Sequence, residues 1–147
     1  KYPPVGKRSF GVNRAQTYGH DFEKYTSGWN ESSSLVIQIE SIKGVENIEK
    51  LLKYPEVDAV MVGPYDLSGS LLVPGQLDHP KVLEAAQTVI EASKKHKRGS
   101  GTQITEPTSE SIKKAFEQGH SFIVLSSDIF LLWKWGEKMN TLIRSER

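Results

Sequence analysis

The stretch Leu35 to Ser70, LVIQIESIKGVENIEKLLKYPEVDAVMVGPYDLSGS, decides the fold of this chain. It opens on the apolar run Leu35-Val36-Ile37-Gln38-Ile39, which hands over to Glu40. It closes on Ala59-Val60-Met61-Val62, which hands over to Gly63-Pro64-Tyr65-Asp66-Leu67-Ser68. Continuous apolar runs of this length suit strands of a parallel sheet buried on both faces. Between them Val45, Ile48, Leu51 and Leu52 recur at helical spacing, and Pro55 ends that helix. The stretch therefore reads as a β-α-β unit with an acid at the carboxyl end of each strand.

Working outward, Gly69 to Asp78 reads as a loop containing Pro74-Gly75. His79-Pro80 then starts a helix with proline at its first position. Val82, Leu83, Ala85, Ala86, Val89 and Ile90 give that helix one apolar face, and it exits through Lys94 to Arg98, basic as a helix carboxyl end favours. Gly99 to Thr105 is a third strand. Thr108 or Ser109 caps a helix that stops at Gly119, and Phe122 to Leu125 is a fourth strand. Ser126-Ser127-Asp128 turns into a last helix from Ile129, rich in aromatics at Phe130, Trp133 and Trp135. Residues 1–34 read as an irregular lead-in apart from a helical turn at Asp21 to Thr26; long aromatic-rich leads of this kind cover a mouth or another subunit. The alternation is that of an α/β protein with a parallel sheet and helical crossovers, and four units are half of an eightfold barrel or a small open doubly wound sheet.

The composition excludes several classes of function. With 147 residues the chain is one domain by size, residues 1–34 leading into β/α units over 35–128 and a terminal helix over 129–147. A net charge of +1 with the signs interspersed gives no footprint for nucleic acid. The absence of cysteine removes disulfides, thiolate metal sites and a cysteine nucleophile, and fits a cytoplasmic setting. No stretch approaches the roughly 18 apolar residues of a membrane span. Lys1-Tyr2-Pro3-Pro4 is neither a signal peptide nor an initiating methionine, the beginning expected of a piece of a longer protein.

Reacting groups of parallel α/β folds gather at the carboxyl ends of the strands. Glu40 and Asp66 stand there together, and two carboxylates without cysteine or a spaced histidine pair suit a hard divalent cation bound through oxygen, Mg²⁺ or Mn²⁺. The bland reading, in which each acid caps a helix or is a surface charge, is about equally weighted. Gln38 lies two residues before Glu40 and so shares its side of the strand, which in a barrel is the lumen; a hydrogen-bonded buried amide is the plainer alternative. Gly63-Pro64 offers bare backbone, and the amides entering the next helical turn suit a carboxylate; a simple turn is the alternative. Arg8 is a candidate anion contact or a solvated charge. His79 reads as a cap, and His96 and His120 as exposed.

These residues carry a resemblance. Tyr2-Pro3-Pro4-Val5-Gly6-Lys7-Arg8, Val36-Ile37-Gln38-Ile39-Glu40, Gly44-Val45-Glu46-Asn47-Ile48, Val57 to Ser68, Pro74 to Pro80, and Gly119 to Val124 with Asp128 resemble the metal-dependent pyruvate aldolases of the HpcH/HpaI family. The resemblance implies the last four units of a TIM (β/α)8 barrel of the phosphoenolpyruvate/pyruvate-binding type. It implies class II aldol cleavage of a 4-hydroxy-2-oxo acid, whether a 2-keto-3-deoxy sugar acid or a hydroxy-oxo-diacid, to pyruvate and an aldehyde through a metal-stabilised enolate. Glu40 and Asp66 are then the metal ligands for Mg²⁺, Mn²⁺ or Co²⁺, and Gln38 lines the pyruvate site. Gly63, Pro64, Tyr65 and Asp66 receive the pyruvate carboxylate, with Arg8 near the mouth. The family's acid–base histidine and pyruvate-binding arginine come from earlier strands, so neither is assigned to His20 or Arg14. The last helix is expected at a homo-oligomer interface. Two alternatives stay open: a related lyase acting on an acyl-CoA or phosphoenol acid, and a non-catalytic fragment or subunit.

Overall fold

Strand β1 is Val36–Ile39, and its start is pinned from the neighbouring strand. The Leu35 amide donates to Asp58 Oδ2 at 2.7 Å, while the Asp58 amide donates back to the Leu35 carbonyl at 3.0 Å. In this computed structural model, which describes residues 1–146, the chain divides into two compact units, Lys1–Ser34 and Leu35 onward.

The first unit holds a kinked 3₁₀ segment, Arg14–Gly19, and helix α1, Phe22–Ser32. It is more ordered than an irregular lead-in with one helical turn. Aromatic packing explains the difference: Tyr2 is buried, stacks on Phe10 at 4.8 Å, and meets Tyr25 and Trp29 edge-on. Such pairs add specific geometry to burial, which a period-based reading of the segment does not register.

The second unit runs β1, α2 (Ile42–Glu46), α3 (Ile48–Leu51), β2 (Ala59–Val62), α4 (Pro64–Ser70), α5 (Pro80–Lys95), β3 (Gly99–Ile104), α6 (Ser109–Glu117), β4 (Phe122–Leu125) and α7 (Asp128–Ser145). The four strands form one parallel sheet in the order β1-β2-β3-β4. Arg147, at the end of the expected last helix, lies outside the described residues. The helix expected between β1 and β2 is broken at Asn47, whose side chain donates to the Lys43 carbonyl at 2.8 Å. An asparagine that engages local backbone in this way competes with helix continuation. Helix α4 reaches Ser70, one residue past Gly69, where a loop was expected to begin. Thr108, not Ser109, caps α6, in a reciprocal box with Ser111.

The core lies on one face of the sheet. Ile39, Val60 and Val62 meet Val45, Ile48, Leu52, Leu67, Ala85, Val89 and Ala92 from the helices. Each fully buried aliphatic side chain contributes roughly 1.5–3 kcal/mol. The strands are not buried on both faces as their apolar runs predicted. Val36 is 45 % exposed and Val124 39 %, because the helices cover only the side to which Ile39, Val60 and Val62 point. A parallel sheet with helices on one side and a second side-chain row on the other is how a (β/α)8 barrel is layered.

Candidate functional site

The uncovered face is built in rows. Residues at Cα register across the sheet place Gln38 beside Met61, Met61 beside Gly101 and Gly101 beside Phe122. A side chain at Gly101 would collide with the Phe122 ring, so the ring floors the face there. Two residues further along each strand, the pleat returns the same side, giving Glu40, Gly63, Gln103 and Val124. The Gly63 amide donates to the Ile39 carbonyl at 3.0 Å, which carries the ladder up to this second row.

Gly63 brings the sequence-predicted residues together. A Cβ there would lie 2.7 Å from Gln38 Nε2 and 3.1 Å from Glu40 Cβ, so both side chains lean over bare backbone. Gly63 is also the N-cap of α4, with Pro64 opening the helix and Asp66 in its first turn. The amides of Tyr65 and Asp66 stand at the helix start, where no intrahelical carbonyl is available. Tyr65 and Asp66 are exposed.

The motif Asp66-Leu67-Ser68 has a division of labour. Leu67 is fully buried in the core and fixes the helix. Ser68, equally buried, donates to the Tyr65 carbonyl at 2.6 Å and accepts from the Gly75 amide at 2.9 Å, tying the following loop to α4. At the far end of the helix, Ser70 Oγ accepts from the Ile42 amide at 3.0 Å, which ties α4 to the segment just after Glu40. The two acids therefore sit on elements joined by hydrogen bonds at both ends.

A cavity of about 100 Å³ opens on this face, lined by Gln38, Met61, Gly63, Pro64, Tyr65 and Asp66, with Gln103 and Thr105 opposite. Gln103 and Thr105 were not picked out as site residues from sequence. The available signal was register: Gln103 is two residues past Gly101 on the strand beside Gly63. A larger groove of about 570 Å³ lies elsewhere, between α5 and α6, with Val62 and His120 among its lining. Its walls come from the helix-bearing side of the sheet, so the smaller cavity at the strand ends is the better candidate for chemistry.

Among the described residues neither Glu40 nor Asp66 has a salt-bridge partner, and no three of His, Asp and Glu converge. Two free carboxylates with room for further oxygen ligands fit Mg²⁺ or Mn²⁺, which keep several waters or substrate oxygens in their coordination. The residues present thus fit a hard divalent cation. Arg8 belongs to the first unit, where its guanidinium lies 4.3 Å from the Trp29 ring centre and 4.8 Å from that of Tyr2.

The histidines fall differently from the reading as caps and surface groups. His79 does cap α5, its Nδ1 accepting from the Lys81 amide at 3.2 Å. His96 is half-buried and lies 2.7 Å from Glu49 Oε2, with Lys95 2.8 Å from Oε1. Hydrogen bonds from Lys95 and then His96 pull the Glu49 carboxyl down to about 2. His120, expected to be exposed, is buried, with Nδ1 3.5 Å from Ser100 Oγ, and burial lowers its pKa.

Residues 1–133 match the family described as HpcH/HpaI aldolase/citrate lyase. The 5-keto-4-deoxy-D-glucarate aldolase of Klebsiella pneumoniae is 34% identical over 129 residues, covering 88% of this chain and 50% of that protein. The hydroxypyruvate/pyruvate aldolase of Chromohalobacter salexigens is 34% identical over 134 residues, covering 90% of this chain and 52% of that protein. The crystal structure of an HpcH/HpaI aldolase from Desulfitobacterium hafniense superposes with a TM-score of 0.78 at 30% identity, over 98% of this chain and 56% of that one. The chain belongs to the HpcH/HpaI aldolase/citrate lyase family. It spans about half the length of the curated relatives it matches, and with its parallel four-stranded sheet it superposes on 56% of the Desulfitobacterium chain. Among the described residues no helix is long and apolar enough to cross a membrane.

Proposed function

We propose that this chain supplies the metal-binding and 2-oxo-acid-binding half of a carbon–carbon lyase that cleaves a 4-hydroxy-2-oxo acid to pyruvate and an aldehyde. The observation that carries the reading is the convergence of Gln38 and Glu40 on the bare backbone of Gly63, next to Asp66 in the first turn of α4. Family membership and aldolases among the relatives support it.

Glu40 and Asp66 are the residues that would hold a divalent cation, Mg²⁺ or Mn²⁺. When bound, the cation supplies Lewis-acid polarisation of the substrate's keto group. Gln38 offers its amide to the same small acid from the floor of the cavity. Gly63 lets the acid approach the chain closely, and the opening amides of α4 at Tyr65 and Asp66 present donors to its carboxylate. Ser68 and Ser70 hold α4 in place against the loop and the β1 segment, so these groups are oriented before substrate arrives.

The test is cleavage by the polypeptide that carries this chain. Pyruvate release from a 4-hydroxy-2-oxo acid should stop with chelator and return with Mn²⁺. Activity indifferent to chelator, or trapped by borohydride on a lysine, contradicts the reading.

We further propose that α7 packs against a second copy of this chain. It contains no buried residue, and Leu132 and Trp135 are 70 % and 63 % exposed on it. Large apolar side chains grouped in this way mark an interaction surface. Light scattering should report an oligomer that Leu132→Ser with Trp135→Ser dissociates; an unchanged mass contradicts this.

A further inference from the structure

The second row of the uncovered face runs Glu40, Gly63, Gln103. Gly63 contributes no side chain and the Gln38 amide leans over its backbone, so the acid on β1 and the amide on β3 stand two strand spacings apart, about 10 Å, with Gln38 between them. A three-carbon acid held against Gln38 on the Glu40 and Asp66 side spans only part of that distance. The remainder of a longer substrate, on the far side of the bond to be cleaved, extends toward Gln103.

Gln103 is poised for a ligand rather than for the protein. Its side chain is half-buried and lines the cavity, yet among the described residues its amide has no hydrogen-bond partner. The same holds for the hydroxyl of Thr105, two residues on, at the rim of the same cavity. Together they present two N–H donors, one O–H donor and several acceptor lone pairs. This donor and acceptor mixture complements a hydroxyl, which both gives and takes. It does not complement an alkyl group, which would cover the amide without pairing it. Neither Gln103 nor Thr105 carries a charge that would pair a second carboxylate.

We propose that Gln103, assisted by Thr105, is a specificity-determining residue that selects substrates bearing a hydroxyl on the aldehyde side, a polyhydroxylated 2-oxo acid rather than an alkyl one or a diacid. This rests on the 2-oxo acid reading of the Gln38, Glu40 and Asp66 site. It adds an assignment for the opposite wall.

The test separates recognition from chemistry by using 2-oxo acids without a 4-hydroxyl, which cannot undergo the cleavage. Calorimetry on the polypeptide carrying this chain, with Mn²⁺ present, compares pyruvate, 5-hydroxy-2-oxopentanoate, 2-oxohexanoate and 2-oxoglutarate. The hydroxy acid should bind about tenfold more tightly than 2-oxohexanoate, the value of one net hydrogen bond, and more tightly than 2-oxoglutarate. Gln103→Met, which keeps the length and removes the amide, should erase that preference while pyruvate binds as before. Thr105→Val should reduce it by a smaller factor and gives a reading independent of the first variant. Absence of the preference in the unsubstituted protein, its survival in both variants, or tightest binding of 2-oxoglutarate overturns the assignment and leaves the metal-site reading intact. Failure of the unsubstituted protein to bind pyruvate with Mn²⁺ overturns the metal-site reading and this assignment with it.

Discussion

Gln38 occupies the space that a side chain at Gly63 would need: a Cβ at Gly63 falls 2.7 Å from Gln38 Nε2. The glycine is required by its neighbour and not by its backbone angles, since its φ of −98° suits any residue. Gly63→Ala should push the Gln38 amide away from the cavity. The expected cost in stability is small, because the Gln38 amide is the free end of a flexible side chain, while affinity for pyruvate should fall about tenfold or more. Urea unfolding and calorimetry check the two parts, and unchanged pyruvate affinity would remove Gln38 from the site.

Gly101 stands in the same relation to Phe122, whose ring covers it. Gly101→Ala should destabilise the second unit by about 1–3 kcal/mol. Phe122→Leu in the same chain should recover part of the loss, because the smaller side chain vacates the space. A double-mutant cycle with no coupling between the two positions contradicts this packing.

Ser68 links α4 to the loop that follows it. Ser68→Ala leaves the Gly75 amide without its acceptor and should cost about 1–2 kcal/mol. Hydrogen exchange at Gly75 should rise in the variant. Unaltered exchange would mean that the loop is held by other contacts.

Among the described residues two groups give the chain a dependence on pH below neutrality. The folded-state pKa of Glu49 is depressed from the usual 4.5 to about 2 by Lys95 and His96, so its contribution is present above about pH 4.5 and is lost as pH falls toward 2. Glu49→Gln should flatten unfolding midpoints over that acid range. His120 is also lowered, by burial, and for a histidine this means that the unfolded chain takes up the proton first. Stability should therefore be at its plateau above about pH 6.5 and decline below it, a slope that His120→Gln should reduce. Midpoints that stay flat between pH 7 and 5 contradict the burial of His120.

Much of the second unit was legible because its apolar periodicities are long and unmixed. Strands β1, β2 and β4 and helices α5 and α6 each carry an apolar run or face, whereas β3, Gly-Ser-Gly-Thr-Gln-Ile over Gly99–Ile104, carries none and follows from the alternation of its neighbours. The break at Asn47 was not, since it depends on one side chain choosing the Lys43 carbonyl. His120 was misread for a related reason: nothing local in Gly119-His120-Ser121 signals that its ring packs beside Ser100 on β3. Within the candidate site, Glu40 and Asp66 stand out because acids that end apolar strands are conspicuous. Gln103 does not, because only the register of β3 against β2 brings it level with Gly63. The apolar runs also promised burial on both faces, yet the face that carries Val36 and Val124 is uncovered in this chain.

The most direct test of the central claim is Mn²⁺ binding by calorimetry, with and without pyruvate, on this chain and on Glu40→Gln and Asp66→Asn. The account predicts binding that tightens when pyruvate is present and is abolished in either variant, with circular dichroism unchanged. Mn²⁺ and pyruvate that bind equally well to both variants would contradict it, because the two carboxylates would then not be the ligands.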